Sequence, residues 1–336
     1  MRILFAYRGT KQLRLEELPR IATSHMSAVN DVQLCHVWRS HGHEIDIWIK
    51  GAPLNPDSYD LLYLFKLHSM KFVQAGHLSL PWKRIAAWYD CGKVADALKA
   101  DASRLESIAW GTGGLMLQEV EAFPHTRHLV VEHAPTFPTP PKFPETKPCG
   151  LYIGRIPTTY RIQLEAAMQL CAFNILALKI ELGGRMVLLR PGQFEAGDLE
   201  LVRAWCPEGS KLQTAVNLIA HPELAVGCFG LVPSTRLHGP QVLSACKVWD
   251  YWALGLPVVI SNYVPEAHWV QLHPFLGYIT SDAASLKSAI EAAIARSRQS
   301  NFDKDRQQIQ SWTFSRHTWQ HRAEEIENAQ FTQRAT

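Results

Sequence analysis

The sequence lacks the cysteine pairing that a metal or redox motif needs. Its 336 residues include seven cysteines, but no two form a C-x-x-C pair, which argues against a zinc knuckle and a thioredoxin-like site. Charge of one sign is also scarce, because 34 basic residues stand against 31 acidic ones and leave a net charge of +3. The basic residues are scattered, so the composition does not by itself indicate a nucleic-acid-binding face.

Long hydrophobic runs are missing as well. No uninterrupted apolar stretch reaches the roughly 18 residues that a membrane span requires. The apolar start of the chain meets Lys11 and Arg14 too soon for a signal peptide. The odd number and wide spacing of the cysteines fit a reducing compartment, so we expect a soluble, cytoplasmic protein. Residues 80–88 form an amphipathic patch, for which peripheral membrane contact is an alternative to simple packing.

What the chain does contain is an alternation of strand and helix patterns. In the first half, a helix is predicted over residues 25–42 and strands at residues 2–7, 43–49, 59–65, 84–90 and 128–134. Strands that alternate with helices are typical of a parallel, doubly wound sheet. Residues 133–150 then hold six prolines and predict a stiff linker.

A second alternation follows this linker. Strands are predicted at residues 150–155, 185–190 and 257–261, and helices at residues 160–175, 248–255 and 284–298. We therefore predict an α/β protein with two Rossmann-like, doubly wound domains, residues 1–140 and residues 141–310. Ligands of open α/β sheets bind beyond the carboxyl ends of the strands, so a cleft between the two domains is the expected site.

Arginines flank the end of the first predicted strand in the second domain. Gly154 and Arg155 follow that strand, and Arg161 lies at the start of the next helix. Two guanidinium groups and the free N–H groups of a helix start together make a clamp for a diphosphate. The alternative is that both arginines are solvated loop residues.

A lysine and an aspartate are expected one turn apart on a later helix. Lys247 and Asp250 open the segment "KVWDYWALGLPVVIS", in which Gly255 and Pro257 end the helix before an apolar strand. The lysine can meet a phosphate, and the carboxylate can accept both hydroxyls of a ribose. An exposed ion pair, worth a few tenths of a kcal/mol, is the alternative.

The first domain offers one candidate for acid–base chemistry. Asp90 ends a predicted apolar strand, where a carboxylate can orient an acceptor hydroxyl or take its proton. A helix N-cap is the alternative for this residue. The 15 histidines have no metal-ligand spacing, so no metal site is predicted.

The order of the motifs resembles that of a known enzyme class. "GLYIGR", "GLVPS" and "KVWDYWALGLPVVIS", after a first half containing "GHEIDIW", resemble the GT-B glycosyltransferases and most closely the retaining glycosyltransferase family 4, or glycosyl transferases group 1. The resemblance implies a hexosyltransferase that moves a sugar from a nucleoside diphosphate sugar to an acceptor hydroxyl, with retention. It implies no metal and no cofactor apart from this nucleotide-sugar donor as co-substrate.

The resemblance also assigns roles to individual residues. Gly154, Arg155 and Arg161 match the family's G-R-x5-K/R motif and would hold the donor diphosphate together with Lys247. Asp250 takes the position of the acidic residue that holds the ribose. The last helix of the family packs on the first domain, and residues 311–336 are predicted to do the same.

Departures from the family pattern keep several points open. Val242 stands where the family has a glutamate that faces the donor sugar, and the first-domain histidine has no plain counterpart, so Asp90 is the candidate in its place. The donor sugar is therefore open, as is the acceptor, for which a glycan, a lipid-linked sugar, a small metabolite, a protein and a modified nucleic acid are all candidates. A nucleotide-sugar epimerase of the same fold and a non-catalytic nucleotide-sugar-binding protein are the alternative functions.

Overall fold

The chain divides into two units. The structure, a computed structural model, describes residues 1–9, 26–65, 69–89, 98, 103–110, 121, 123–177, 179–189, 197–206, 209–214, 218–233 and 246–331. The described residues before Pro135 form one unit together with those from His317 onward. Pro135–Arg316 form the other unit.

The first unit is built on a six-stranded sheet in which every pairing is parallel. Its strands are β1 (Arg2–Gly9), β2 (Glu44–Ile49), β3 (Leu61–Phe65), β4 (Ile85–Tyr89), β5 (Ser107–Trp110) and β6 (Arg127–Val130). They lie in the order β2-β1-β3-β4-β5-β6.

The second unit has a larger parallel sheet and a small antiparallel hairpin. The large sheet runs in the order β11-β8-β7-β12-β13-β14, and β9 pairs with β10. The strands are β7 (Gly150–Ile153), β8 (Phe173–Ala177), β9 (Lys179–Leu182), β10 (Arg185–Leu188), β11 (Lys211–Thr214), β12 (Phe229–Val232), β13 (Val258–Ser261) and β14 (Gly277–Thr280).

Helices connect these strands. Those in the described residues are α1 (Met26–Ser40), α2 (Met70–Gln74), α3 (Thr158–Met168), α4 (Asp198–Trp205), α5 (Lys247–Ala253), α6 (Ala267–Leu272), α7 (Ala283–Ser297), α8 (Phe302–Arg316) and α9 (Trp319–Ile326). Short 3-10 turns lie at Pro56–Ser58, His77–Ser79, Pro222–Leu224 and Pro274–Leu276, and a π-helical turn lies at Glu327–Phe331.

The strand order of the second unit locates its ligand edge. If the strands of the large sheet are numbered along the chain, their spatial order is 3-2-1-4-5-6, which is the order of a dinucleotide-binding Rossmann sheet. The chain direction across the sheet reverses between β7 and β12, the first and fourth of these strands. Ligands of such sheets bind outside the carboxyl ends of the strands at this reversal.

Alternation along the strands builds a core on each face of the first sheet. Ile3 and Phe5 point to one face, where they pack with Trp38 of α1 and Trp319 of α9. Leu4 points to the opposite face and packs in a separate cluster. Successive side chains of a strand alternate between the two faces of its sheet. A sheet buried on both faces therefore needs apolar residues at consecutive positions, as in "ILFA" at residues 3–6.

The predicted class, two doubly wound α/β domains, is confirmed by these two parallel sheets. The helix predicted over residues 160–175 is wrong beyond Met168, because Gln169–Leu170 form a turn and Phe173–Ala177 form strand β8. Strand β8 is buried between β7 and β11, so sheet pairing overrides the helical spacing of its apolar residues.

The C-terminal helical pattern is divided between two helices. α8 ends at Arg316 in the second unit, and α9 begins at Trp319 in the first. Thr318 caps α9, since its hydroxyl accepts from the His321 N–H while the His321 ring contacts the Thr318 N–H. Within the first unit, α9 packs on α1.

The proline-rich segment is held on helix α8 of its own unit. Arg306, which is 3% exposed, donates from Nη2 to the carbonyl of Pro144 at 3.0 Å. Gln310 donates from Nε2 to the carbonyl of Pro141 at 2.9 Å. These side-chain bonds satisfy two carbonyls of a segment whose prolines have no N–H for a backbone ladder, and they fix the course of the segment.

Candidate functional site

Strand β7 leads into a tight turn at the reversal point of the second sheet. Gly154 follows the strand with φ of +119°, a conformation that favours glycine. Its N–H donates to the carbonyl of Leu176 at 2.9 Å, and the next residues turn towards α3. Ile156 fixes that loop, because it accepts from the Glu181 N–H and donates to the Lys179 carbonyl in strand β9.

Helix α5 is anchored directly over the two central strands. The phenol of Tyr251, which is fully buried, accepts from the Ile153 N–H of β7 at 2.8 Å and donates to the Leu231 carbonyl of β12 at 3.3 Å. The first and fourth residues of this helix are Lys247 and Asp250. The anchor therefore places both charged residues at the reversal point.

Lys247 reaches the turn at Gly154. A Cβ atom added to Gly154 would lie 3.6 Å from Lys247 Nζ. The ammonium donates to the phenol oxygen of Tyr152 at 3.0 Å, and it lies 4.1 Å from the centre of that ring and 5.4 Å from the ring of Tyr160. Burial lowers the pKa of Lys247 to about 7.

Asp250 has its hydrogen-bond partners in another segment of the chain. Its side chain is 3% exposed, and both carboxylate oxygens accept from Thr136: Oδ1 from the backbone N–H at 2.7 Å and Oδ2 from the hydroxyl at 3.1 Å. Burial raises the pKa of Asp250 to about 7, against the opposing effect of the two Thr136 bonds. Thr136 belongs to the proline-rich segment, so this carboxylate also ties that segment to α5.

Lys247 and Asp250 do not form the surface ion pair that their spacing allows. Among the described residues, the lysine bonds to a phenol and the aspartate to a threonine, and no ion pair joins them to each other. Both charged side chains are therefore held by hydrogen bonds to uncharged groups.

The two arginines of the predicted clamp flank the same carboxylate. Arg155 is exposed just after Gly154, and its carbonyl accepts from the Tyr152 phenol at 2.6 Å. Arg161 donates from Nη1 to the Glu181 carbonyl at 3.1 Å, and its Nε lies 3.2 Å from Glu165 Oε1. Arg161 thus contacts the backbone of Glu181 in the hairpin strand β9, and both arginines act electrostatically on the carboxylate of that residue.

Glu181 also occupies one of the backbone N–H groups at the start of α3, which were expected to be free. Its Oε2 accepts from the Thr158 N–H at 3.1 Å, at the first residue of α3. Hydrogen bonds from Thr158 lower the pKa of the Glu181 carboxyl, and Arg155 and Arg161 lower it further. At Thr158, therefore, the expectation of a free N–H is wrong, because a carboxylate of the chain itself is already bound there.

The structure brings together Gly154, Arg155, Lys247 and the start of α3, and it places Asp250 one turn away. Sequence reasoning missed Tyr152, Tyr160 and Thr136. Tyr152 stands two residues before Gly154, so the period of a strand places it on the side of the sheet that Gly154 faces, which is a usable signal. Thr136 has no comparable signal, because it is 114 residues away from Asp250.

Two residues of the sequence argument, Asp90 and Val242, lie outside the described residues. Among the residues that the structure does describe, no group of three or more histidine, cysteine, aspartate or glutamate side chains is placed to hold a metal ion. Each helix in the described ranges is too short or too polar to span a bilayer.

Solved structures share this architecture along nearly the whole chain. The chain is similar to sucrose-phosphate synthase from Thermosynechococcus elongatus, with a TM-score of 0.63 at 12% identity over 97% of each chain. It is similar to a glycosyltransferase from Rickettsia africae ESF-5, with a TM-score of 0.62 at 9% identity over 97% of each chain. A lipopolysaccharide outer core galactosyltransferase, WaaB, gives 0.59 at 12% identity over 98% of this chain and 99% of that one.

Sequence comparison alone detects none of this likeness. No protein-family model matches the sequence, and no curated protein does so significantly. At identities near a tenth, the structural likeness establishes the fold and nothing finer. The chain has the GT-B fold, with two Rossmann-like α/β domains in one polypeptide.

Proposed function

We propose that the protein is a glycosyltransferase that moves a sugar from a nucleoside diphosphate sugar to an acceptor hydroxyl, with retention at the anomeric carbon. The observation that carries the proposal is the approach of the Lys247 ammonium to the Gly154 turn, at the strand reversal of a sheet with Rossmann order. A partly buried cation at that point suits a ligand with phosphate groups.

In this proposal the donor diphosphate lies against the loop after β7. Lys247 and Arg155 approach it from two sides, and Arg161 adds its charge from α3. When the bond to the sugar breaks, negative charge grows on the departing diphosphate. Fixed cations stabilise that charge more in the transition state than in the ground state, which is the condition for catalysis.

Asp250 is proposed to receive the ribose of the donor. Each carboxylate oxygen has two lone pairs, and Thr136 takes one bond on each, so accepting capacity is left on both. Asp90 is proposed to orient the acceptor hydroxyl. For both residues the support is the sequence pattern together with the GT-B fold.

The solved structures with this fold support sugar transfer as the reaction class. Two of the three similar structures described above are named as a glycosyltransferase and a galactosyltransferase. Fold alone does not determine chemistry, so the proposal rests on the cations at the sheet edge and uses the fold as support.

The test has two steps. Thermal shifts with a panel of nucleoside diphosphate sugars identify the donor, because a ligand that binds only the folded state raises the melting temperature. Release of the nucleoside diphosphate is then measured with and without candidate acceptors: glycans, lipid-linked sugars, small metabolites, proteins and modified nucleic acids. Release that requires an acceptor supports transfer. Epimerised donor without an acceptor indicates an epimerase, and binding without turnover indicates a nucleotide-sugar-binding protein.

A further inference from the structure

Lys247 differs from Arg161 in how its charge is matched. Arg161 has a carboxylate, Glu165, and the Glu181 carbonyl as partners. Among the described residues, no carboxylate pairs with the Lys247 ammonium, whose one hydrogen bond goes to a phenol. A half-buried ammonium with a neutral acceptor has donors left for an anion.

Tyr152 fixes the direction of that ammonium. The ring is fully buried, and its hydroxyl donates to the Arg155 carbonyl at 2.6 Å, which turns an oxygen lone pair towards Lys247 Nζ at 3.0 Å. Burial raises the pKa of this phenol well above its usual value, so it stays neutral and does not act as a counter-ion. The phenol therefore orients the cation and leaves its charge uncompensated.

Tyr160 supplies a second aromatic ring. It belongs to the first turn of α3, and its ring centre lies 5.4 Å from the ammonium, against 4.1 Å for Tyr152. Both distances are within the range of a cation–π interaction, which favours the charged lysine where burial disfavours it. Arg155 and Glu266 both act electrostatically on Tyr160.

We propose that Tyr152 and Tyr160 are positioning residues that hold Lys247 as the cation for the donor diphosphate, so that binding of the diphosphate is coupled to protonation of this lysine. The inference rests on the proposed function for the identity of the ligand. Among the described residues, the Cys246 thiol just before α5 is a further titratable group that acts on Lys247.

The first experiment needs no ligand. Lysines are labelled with ¹³C at the ε carbon, and the signal absent from Lys247→Met identifies Lys247. Tyr160→Leu and Tyr152→Phe are each expected to move its titration midpoint to lower pH, because each removes a contact that stabilises the ammonium. Tyr160→Phe keeps the ring and is expected to keep the wild-type midpoint. Identical midpoints in all four proteins would overturn the positioning role.

The second experiment uses inorganic pyrophosphate and a panel of nucleoside diphosphates. Calorimetric affinities are compared between wild type and Lys247→Met at each pH, which cancels the titration of the ligand. The wild-type advantage is expected to fall by up to about tenfold per pH unit above the lysine midpoint, since one proton is linked to binding. Tyr160→Leu should begin this fall at lower pH, while Tyr160→Phe should follow the wild type.

The inference and the proposed function can fail separately. If Lys247→Met binds the nucleoside diphosphates as the wild type does at every pH, the lysine is not the diphosphate cation and the inference is wrong. Donor binding by the wild type would then rest on Arg155 and Arg161, and the proposed function would lose the observation at Lys247 but keep its ligand. If the wild type binds none of these diphosphates, the proposed function is wrong and the ligand part of the inference is lost with it. The titration midpoints still decide whether the tyrosines hold the lysine.

Discussion

Asp250→Asn is expected to remove a pH dependence of folding stability that few surface aspartates have. The wild-type carboxyl has a pKa of about 7 in the folded protein and 3.8 as its ordinary value. A pKa difference of one corresponds to about 1.4 kcal/mol, so this difference corresponds to at most about 4 kcal/mol. Because relaxation of the buried site reduces it, we expect about 2–4 kcal/mol.

The direction of this pH dependence follows from whether the folded or the unfolded state binds the proton more tightly. The folded pKa is raised, so the folded protein binds the proton more tightly and its contribution is complete below about pH 4. This contribution is lost as the pH rises through about 7. Asparagine carries no charge, and its amide can still accept from the Thr136 N–H while donating to the Thr136 hydroxyl. The variant should therefore fold, and its stability relative to that of the wild type should increase as the pH rises.

Hydrogen exchange of α5 peptides in increasing urea measures this locally, which avoids assuming that both units unfold together. The free energy of opening is compared for wild type and Asp250→Asn from about pH 4.5 to about pH 8, where the carboxyl titrates. Asp282→Asn is the matched control. Hydrogen bonds from Ser285 lower the pKa of the Asp282 carboxyl, so the wild-type advantage over this variant should stay constant over the same range.

A stability difference between wild type and Asp250→Asn that does not change with pH would contradict this prediction. It would mean that Asp250 is ionised in the folded protein at neutral pH, so that the two bonds from Thr136 outweigh its burial. A wild-type advantage that grows with pH would refute it in the same way.

Three further predictions concern ligand binding. Arg155→Ala is expected to cost about 1.5–3 kcal/mol of nucleoside diphosphate affinity. Arg161→Ala is expected to cost less, because Arg161 already has partners within the chain. A larger loss of affinity in Arg161→Ala than in Arg155→Ala, measured by calorimetry, would contradict this. Glu181→Gln is expected to tighten pyrophosphate binding, because it removes a carboxylate that interacts electrostatically with both arginines. Weaker binding in the same titration would contradict this. Asp250→Asn is expected to weaken a ribonucleotide donor by about 1–3 kcal/mol and a 2′-deoxyribose donor less; equal losses in competition binding would remove the ribose role.

The parts of the site that the sequence predicts are those with local signals. Gly154 follows an apolar strand, and the Lys247–Asp250 spacing precedes the run "VVI", so their places in the fold can be read without contacts from elsewhere. Strand β8 could not be read in this way, because its apolar residues continue a helical pattern across the turn after Met168. Pairing with β7 and β11 decides its structure, and that pairing is not written in the segment itself.

The hairpin that carries Glu181 has a sequence signal that does not lie in the periodicity of its apolar residues. Gly183–Gly184 separates two short runs, which is typical of a two-residue hairpin turn. The hairpin matters to the site because β9 holds the loop after Gly154 and brings a carboxylate to the start of α3. Contacts of this kind join elements that are distant in sequence, so neither spacing nor propensity predicts them.

Neutral partners explain how one short helix can hold an amine and a carboxyl group that both stay available to a ligand. A direct Lys247–Asp250 pair would satisfy each charge with the other. In the structure, a phenol and a threonine hold these groups, with distances of 2.7–3.1 Å from Thr136 to the carboxylate and 3.0 Å from Nζ to Tyr152. Such partners fix direction without cancelling charge, so a phosphate or a ribose hydroxyl meets a group that is already oriented. Preorganisation of this kind lowers the cost of ordering the site when a ligand binds.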